Sequence, residues 1–259
     1  MADSEAQGIR PWRLLRTGHG RPGYNLSCDE ALLRSENDRP VLRLYGWCPA
    51  ALSLGHFQPS EPFVKRAEKA GVEIVRRQTG GGAIYHDDEL TFCVVATPGR
   101  DGYPPDTIAA YQGIHELLIE ALGSLGAALS FRGEDAPLSI RPRDASMCFE
   151  DHTSMDLVDA EGRKVVGSAQ RRANGRVLHH GSIPLSVPLL SPDAGSVGLA
   201  IGRTVTWEEV ANAVETTFRA SLCGGELAPD VISATEMQST EIAMAKAKRD
   251  IEKEFAGGS

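Results

Sequence analysis

The segment Arg76-Arg77-Gln78-Thr79-Gly80-Gly81-Gly82-Ala83-Ile84-Tyr85-His86-Asp87-Asp88 constrains this chain more than any other. Glycine has no Cβ, so it reaches positive φ without strain and lets another group lie against bare backbone. A glycine run inside a strand would weaken it, so the triplet marks a bend or a close approach. Apolar residues at 72–75 and 83–85 flank it and read as strand ends. A hairpin turn would account for the bend. It would not account for two arginines before it and a His-Asp pair after it. The triplet is no phosphate loop of the common nucleotide folds either, because no G-x-x-x-x-G-K-[ST] occurs in the chain.

The other chemistry-bearing residues cluster later. Cys148 lies in Ser146-Met147-Cys148-Phe149-Glu150, after a Pro/Arg-rich stretch at 137–143, where a loop is expected. Cys28 and Cys93 stand in apolar contexts and read as buried thiols. The 5 cysteines are irregularly spaced and form no C-x-x-C, so neither a disulfide framework nor a zinc site is expected. A loop thiol is either incidental or a nucleophile, and composition does not choose. Lys164 follows Glu161-Gly162-Arg163, which reads as a turn with a surface lysine at its edge. His179 and His180 are adjacent, so on a strand they face opposite sides and one enters the packed face. His152, four residues after Cys148, is a candidate base without a recognisable motif, and no histidine pair shows metal-ligand spacing on one element.

Arg76, Arg77, Gly80, Gly81, Gly82, His86 and Asp87 match, position for position, the RRxxGGGxxxHD signature of the biotin/lipoate ligase superfamily, which this chain resembles. Ser53-Leu54-Gly55-His56-Phe57-Gln58 is similar to that family's SxGxxQ segment. Cys148-Phe149-Glu150, the strand Gly162 to Arg171 and His180-Gly181-Ser182-Ile183 resemble the octanoyltransferase branch, of the LipM type. The resemblance covers roughly residues 45–185. It implies Cys148 and Lys164 as catalytic residues. It implies Arg76, Arg77, Gly80, Gly81, Gly82, His86, Gly167, Ser168, Ala169, His180 and Gly181 as the substrate-binding set, with no metal.

The implied reaction moves an octanoyl group from octanoyl-acyl carrier protein, through a cysteine thioester, to the lysine of an apo lipoyl domain. That domain is the glycine-cleavage H protein or a dehydrogenase E2. No cofactor is implied, because the donor thioester is already activated. A thiolate exchanges acyl groups with a thioester at little free-energy change, and a neighbouring cation favours the thiolate and holds the oxyanion. The alternatives within the superfamily are an ATP-dependent lipoate ligase, usually with an accessory domain for which little chain remains, and a lipoyl-domain amidotransferase. Biotin ligases carry a more Arg-rich loop. The non-enzyme alternative is an acyl-binding scaffold.

The formal net charge of −8 argues against a general nucleic-acid binder, despite the basic stretch at 163–176. No apolar run suits a membrane span, and the acidic, polar start at 1–8 is no signal peptide, so a cytoplasmic protein is expected. Strands are expected at 12–15, 41–45, 51–54, 90–96, 129–131, 154–158, 164–169 and 177–185. Helices are expected from a Ser27-x-x-Glu30 capping box, at 62–70 stopped by Gly71, at 107–125 capped by Asp106, from Thr206-x-x-Glu209 to about 222, and from Thr235-x-x-Gln238 to about 255. In the third of these, Ile108, Tyr111, Ile114, Leu118 and Leu122 share one face. A long loop is expected at 184–202. The pattern is α+β, with mixed or antiparallel sheets flanked by helices, in one catalytic domain with a core of about 25–222 and a C-terminal helical extension of about 234–255.

Overall fold

Consecutive residues of the central strands are buried, and they divide between two packed faces. Leu42, Leu44, Phe92 and Val94 belong to one core with Ile114, Leu118, Val210, Val214 and Phe218. Val41, Tyr45, Cys93 and Val95 belong to another with Leu26, Cys28, Leu32 and Leu33. The two-residue strand period makes this split, and helices covering both faces leave most positions apolar.

The computed structural model describes residues 10–133, 147–150 and 153–257, so the stretch 137–143, Ser146 and His152 lie outside the described residues. In order the elements are β1 (Trp12–Gly20), α1 (Pro22–Arg34), β2 (Val41–Trp47), β3 (Ala51–Leu54), α2 (Glu61–Ala70), β4 (Glu73–Arg76), β5 (Ile84–His86), β6 (Glu89–Ala96) and α3 (Thr107–Gly123). Then follow β7 (Ser130–Phe131), β8 (Leu157–Val158), β9 (Lys164–Ala173), β10 (Arg176–Pro184), α4 (Val197–Ile201), α5 (Trp207–Ser221), β11 (Leu227–Pro229) and α6 (Ala234–Gly257). An 8-stranded sheet runs β11-β1-β2-β6-β10-β9-β8-β7, and a 3-stranded sheet runs β4-β3-β5. β1 is parallel to β2 and β11, whereas β6, β10 and β9 pair antiparallel. The fold is α+β with mixed sheets. α3 packs on α5 over one face of the large sheet, and α6 packs along α1 over the other.

Several boundaries differ from the sequence expectation for physical reasons. α1 starts at Pro22, whose fixed φ suits a first helical turn. Ser27 and Glu30 therefore sit inside the helix and form no cap. The N-terminal box of α6 is Ser233/Glu236, not Thr235/Gln238: Glu236 N donates to Ser233 Oγ at 3.2 Å and Ser233 N donates to Glu236 Oε2 at 2.9 Å. A short helix, α4, interrupts the expected loop at 184–202, capped by Ser196 Oγ. On α3, Ile108 is 66% exposed, and the buried residues are Ala110, Ile114, His115, Leu118, Ala121 and Leu122.

The sequence expectation is that no G-x-G-x-x-G follows a strand, yet the turn from β1 to α1, Gly18-His19-Gly20-Arg21-Pro22-Gly23, has that dinucleotide-loop spacing. The side chain of Asn25 fills this turn, its Nδ2 donating to Gly20 O and Gly46 O at 3.2 and 2.9 Å. Gly20 serves this close packing, because a Cβ there would run into the Asn25 side chain, whereas Gly18 supplies a positive φ of 63°.

Candidate active site

β4 and β5 flank β3 on opposite edges, one parallel and one antiparallel. The glycine loop between them is therefore a crossing over the end of β3, not a hairpin turn. Arg77 holds this crossing from beneath. Its Nη2 donates to Gly80 O and Gly82 O at 2.9 and 2.6 Å, and its Nη1 donates to Ser53 O at 3.2 Å. Burial is the main influence on its guanidinium and pulls its pKa down to about 10, against the attraction of Cys148. Gly81 has φ of +96°, and a Cβ there would stand 3.0 Å from Arg77 Nη2. Only glycine fits both the backbone and the space.

Cys148 is tied to the far end of the same loop. Its N–H donates to Ala83 O at 2.7 Å, and Met147 bridges Ala83 in parallel. Met147 is buried with Leu52, Leu54 and Phe63 against the small sheet. Lys164, the first residue of β9, reaches Cys148 from the large sheet. Its Nζ lies 3.6 Å from Cys148 Sγ and donates to Cys148 O at 2.9 Å. It also pairs with Asp156 Oδ1 at 2.9 Å. At 3% exposed, Lys164 is not the surface lysine that its turn-like context suggests. Burial opposes its ammonium, but the facing Cys148 and Asp156 outweigh burial and raise its pKa above the usual lysine value. Gly167 makes room for this arm, because a Cβ there would come within 2.8 Å of Lys164 Cε.

Beside Cys148 lies an apolar cavity with about 440 Å³ of empty space, part of it open to solvent. Arg77, Gly80, Gly81, His86, Gly167, Ser168, Ala169, His180 and Gly181 line it together with Cys148, Leu26, Tyr45, Trp47 and Ile84. Gly82 and Lys164 stand behind this wall. Arg76 is elsewhere: it donates to Gly55 O and Gln58 O at 2.9 and 2.5 Å and clasps the Glu254 carboxylate of α6 at 2.8 Å. It braces loops against α6 and does not face the cavity.

The two histidines of the wall are held by carboxylates. His86 donates from Nδ1 to Glu89 at 2.9 Å, accepts from Ser53 Oγ at 2.7 Å, and stacks on Trp47 at 3.8 Å. His180 donates from Nδ1 to Asp29 at 3.2 Å and accepts from Thr79 Oγ1 at 2.8 Å. Asp29 in turn receives Arg43 Nη1 at 2.6 Å and Tyr45 OH at 2.9 Å. Asp29, Glu89, Asp156 and Arg43 were missed from sequence. The signal for Arg43 was present, since a charge in the middle of the apolar run 41–45 requires a buried partner. Cys28 and Cys93 are fully buried, and burial raises both thiol pKa values. Among the described residues no group of three or more metal-ligating side chains comes together, and no helix is long and apolar enough to cross a membrane.

The fold brings a cysteine–lysine pair to an apolar cavity, and comparison with known proteins places the chain. Residues 21–197 match the lipoyl protein ligase A/B catalytic domain, and the chain belongs to that family. Octanoyltransferase LipM of Kyrpidia tusciae is 33% identical over 266 residues, covering 92% of this chain and 96% of the relative. Octanoyltransferase LipM of Bacillus subtilis is 38% identical over 184 residues, covering 68% of this chain and 66% of the relative. Among solved structures, protein Ta0514 of T. acidophilum with bound lipoic acid aligns with a TM-score of 0.74 and 26% identity, covering 92% of this chain and 95% of that one.

Proposed function

We propose that this chain is a protein octanoyltransferase of lipoate synthesis, taking the octanoyl group from octanoyl-acyl carrier protein and delivering it to the lysine of an apo lipoyl domain. The observation that carries the reading is the Lys164 ammonium 3.6 Å from the Cys148 thiol at the wall of an apolar cavity. The names of the relatives support the same acyl group. α6 packs along α1, and its Glu254 holds Arg76, so core and extension act as one catalytic domain in this proposal. Cytoplasmic work among reduced thiols fits the free cysteines.

In the first step the Cys148 thiolate attacks the donor's thioester carbonyl. The carbonyl π pair moves onto oxygen, and Lys164 is the cation at hand to hold that oxyanion. The intermediate collapses, the carrier's thiolate leaves and takes up a proton, and an octanoyl thioester remains on Cys148. In the second step the neutral acceptor amine attacks the enzyme thioester, the Cys148 thiolate leaves, and the nitrogen loses a proton to give the amide. Neither step needs ATP, because one thioester is exchanged for another and the second is spent on the amide. The apolar cavity holds the alkyl chain, each buried methylene contributing about 0.8 kcal/mol.

Intact-mass measurement after mixing with octanoyl carrier protein tests this. The protein is expected to gain one octanoyl group, labile to hydroxylamine, and to pass it to an apo lipoyl domain without magnesium-ATP. Cys148→Ala should abolish the adduct, and Lys164→Met should slow its formation about a hundredfold or more. Transfer that requires ATP and starts from free octanoate would make the chain a ligase.

A further inference from the structure

Behind the cavity wall, on the α3 side of the large sheet, lies a buried polar chain that the proposed chemistry does not use. His115 of α3 is 1% exposed and His179 of β10 is fully buried. His115 Nδ1 stands 2.5 Å from Met155 O, and its Nε2 stands 2.7 Å from Ser168 Oγ. Ser168 Oγ lies 2.9 Å from His179 Nε2, and His179 Nδ1 lies 3.2 Å from Tyr103 OH.

One carbonyl sets every proton in this chain. Met155 O only accepts, so His115 carries its hydrogen on Nδ1. Neutral His115 then accepts on Nε2, and the Ser168 hydroxyl donates to it. Ser168 Oγ receives His179 Nε2–H, and His179 Nδ1 receives the Tyr103 hydroxyl. Burial keeps both rings neutral: it pushes the His115 pKa down to about 4, and that of His179 well below the ordinary value. Charged groups pull His115 both ways, Asp156 upward and Lys164 downward.

The two ends of His115 touch the two halves of the proposed site. Met155 precedes Asp156, whose carboxylate holds Lys164 at 2.9 Å. Ser168 lines the cavity and follows Gly167, where a Cβ would lie 3.6 Å from Cys148 Sγ. With its proton committed to His115, Ser168 offers no donor to the cavity, which suits an alkyl chain.

We propose that His115 is a positioning residue for acyl transfer, fixing the Asp156–Lys164 pair through Met155 and the acyl-cavity wall through Ser168. The inference rests on the octanoyltransferase reading. It makes two separable predictions, because two substitutions each keep one bond. His115→Asn retains a donor for Met155 O, and His115→Gln retains an acceptor for Ser168.

The experiment measures kcat and KM for octanoyl carrier protein in both variants, with melting curves of each. His115→Gln is expected to lower kcat about tenfold or more, as misplaced catalytic groups do, with little change in KM. His115→Asn is expected to raise KM with a smaller loss of kcat. Ser168→Ala, which leaves the Met155 bond intact, should follow His115→Asn and keeps the test open should a His115 variant not fold. Wild-type kinetics in all three, or a common loss in step with melting temperature, overturns the proposal and makes His115 a packing residue. Alkylation of Cys148 by iodoacetamide, read by peptide mass, needs no acyl donor. It should slow more in His115→Gln than in His115→Asn, so a failure of the octanoyl reading is distinguishable from a failure of this one.

Discussion

His179 and His180 are neighbours on one strand, and they live in opposite kinds of interior. His180 faces α1 and belongs to an ionic network. Its partner Asp29 is 1% exposed and is paired with Arg43, which is fully buried. His179 faces α3 and belongs to a chain of neutral groups, Tyr103, Ser168 and His115. On the α1 side burial opposes the Asp29 carboxylate, but Arg43 and His180 outweigh it and hold its pKa below the usual value. On the α3 side no carboxylate bonds either ring in the described structure, and desolvation removes the charge instead. Burial is shared by the two faces. What differs is whether a fixed counter-charge stands within hydrogen-bond reach.

The comparison is broken most directly at Asp29. Asp29→Ala leaves Arg43 buried without its partner and strips an acceptor from His180 and Tyr45. Removing one member of a buried pair costs about 3–5 kcal/mol. Urea unfolding should show a loss of that size. A loss below about 1 kcal/mol, the scale of an exposed pair, would mean that water screens this face and that it is no ionic interior.

The next largest effect separates the faces by pH. His115 has a folded pKa of about 4, against about 6.5 in an unfolded chain. Its neutral form is therefore favoured in the fold. The associated stability is fully present above pH 6.5 or so and declines down to about pH 4, where both states are protonated. At about 1.4 kcal/mol per unit this amounts to roughly 3 kcal/mol, and His179 acts in the same direction. Asp29 has the opposite charge type and a lowered pKa. Its contribution persists until the pH falls below about 4, the unfolded aspartate value, and is lost through the folded value beneath it. Urea midpoints across this range should fall in two stages, with His115→Asn flattening the upper one. A flat midpoint between about pH 6.5 and 4 would show that the α3 histidines are not held neutral.

How much of this was legible in the sequence depends on whether a residue's partner is local. Gly71 stops α2 by its own backbone preference, and the Thr206 box is a pattern local to residues 206–209 that the structure contains. The signal of Pro22 at the start of α1 is as local, but the box-like Ser27-x-x-Glu30 pattern masked it. The glycine loop announced itself, because a triplet has few other uses. Its role as a crossing over β3 did not, because strand order is long-range. Adjacency on a strand sends His179 and His180 to opposite faces, and the sequence was enough for that. The charge each face imposes depends on Asp29, 151 residues away from His180, and on His115, which α3 brings beside His179. Lys164 shows the limit best: a turn-like sequence context placed it at the surface, and only the meeting of β9 with Cys148 and Asp156 buries it.

The smallest effect lies at the far ends of the two chains. Thr79→Val removes the hydroxyl that His180 Nε2 accepts at 2.8 Å, and Tyr103→Phe removes the one that His179 Nδ1 accepts at 3.2 Å. Both leave a buried ring nitrogen without its donor, which costs about 1–3 kcal/mol. The shorter bond stands at the glycine loop beside the charged network, so Thr79→Val should fall toward the upper end of that range and also raise KM for the acyl donor. Tyr103 stands at the end of the neutral chain, where a long bond between uncharged groups is weak. Its loss should cost about 1 kcal/mol in a melting experiment, less than any other change considered. A Tyr103→Phe protein destabilised as much as Asp29→Ala would invert the ranking of the two faces, and would mean that the neutral chain, not the ion pair, holds β10 in place.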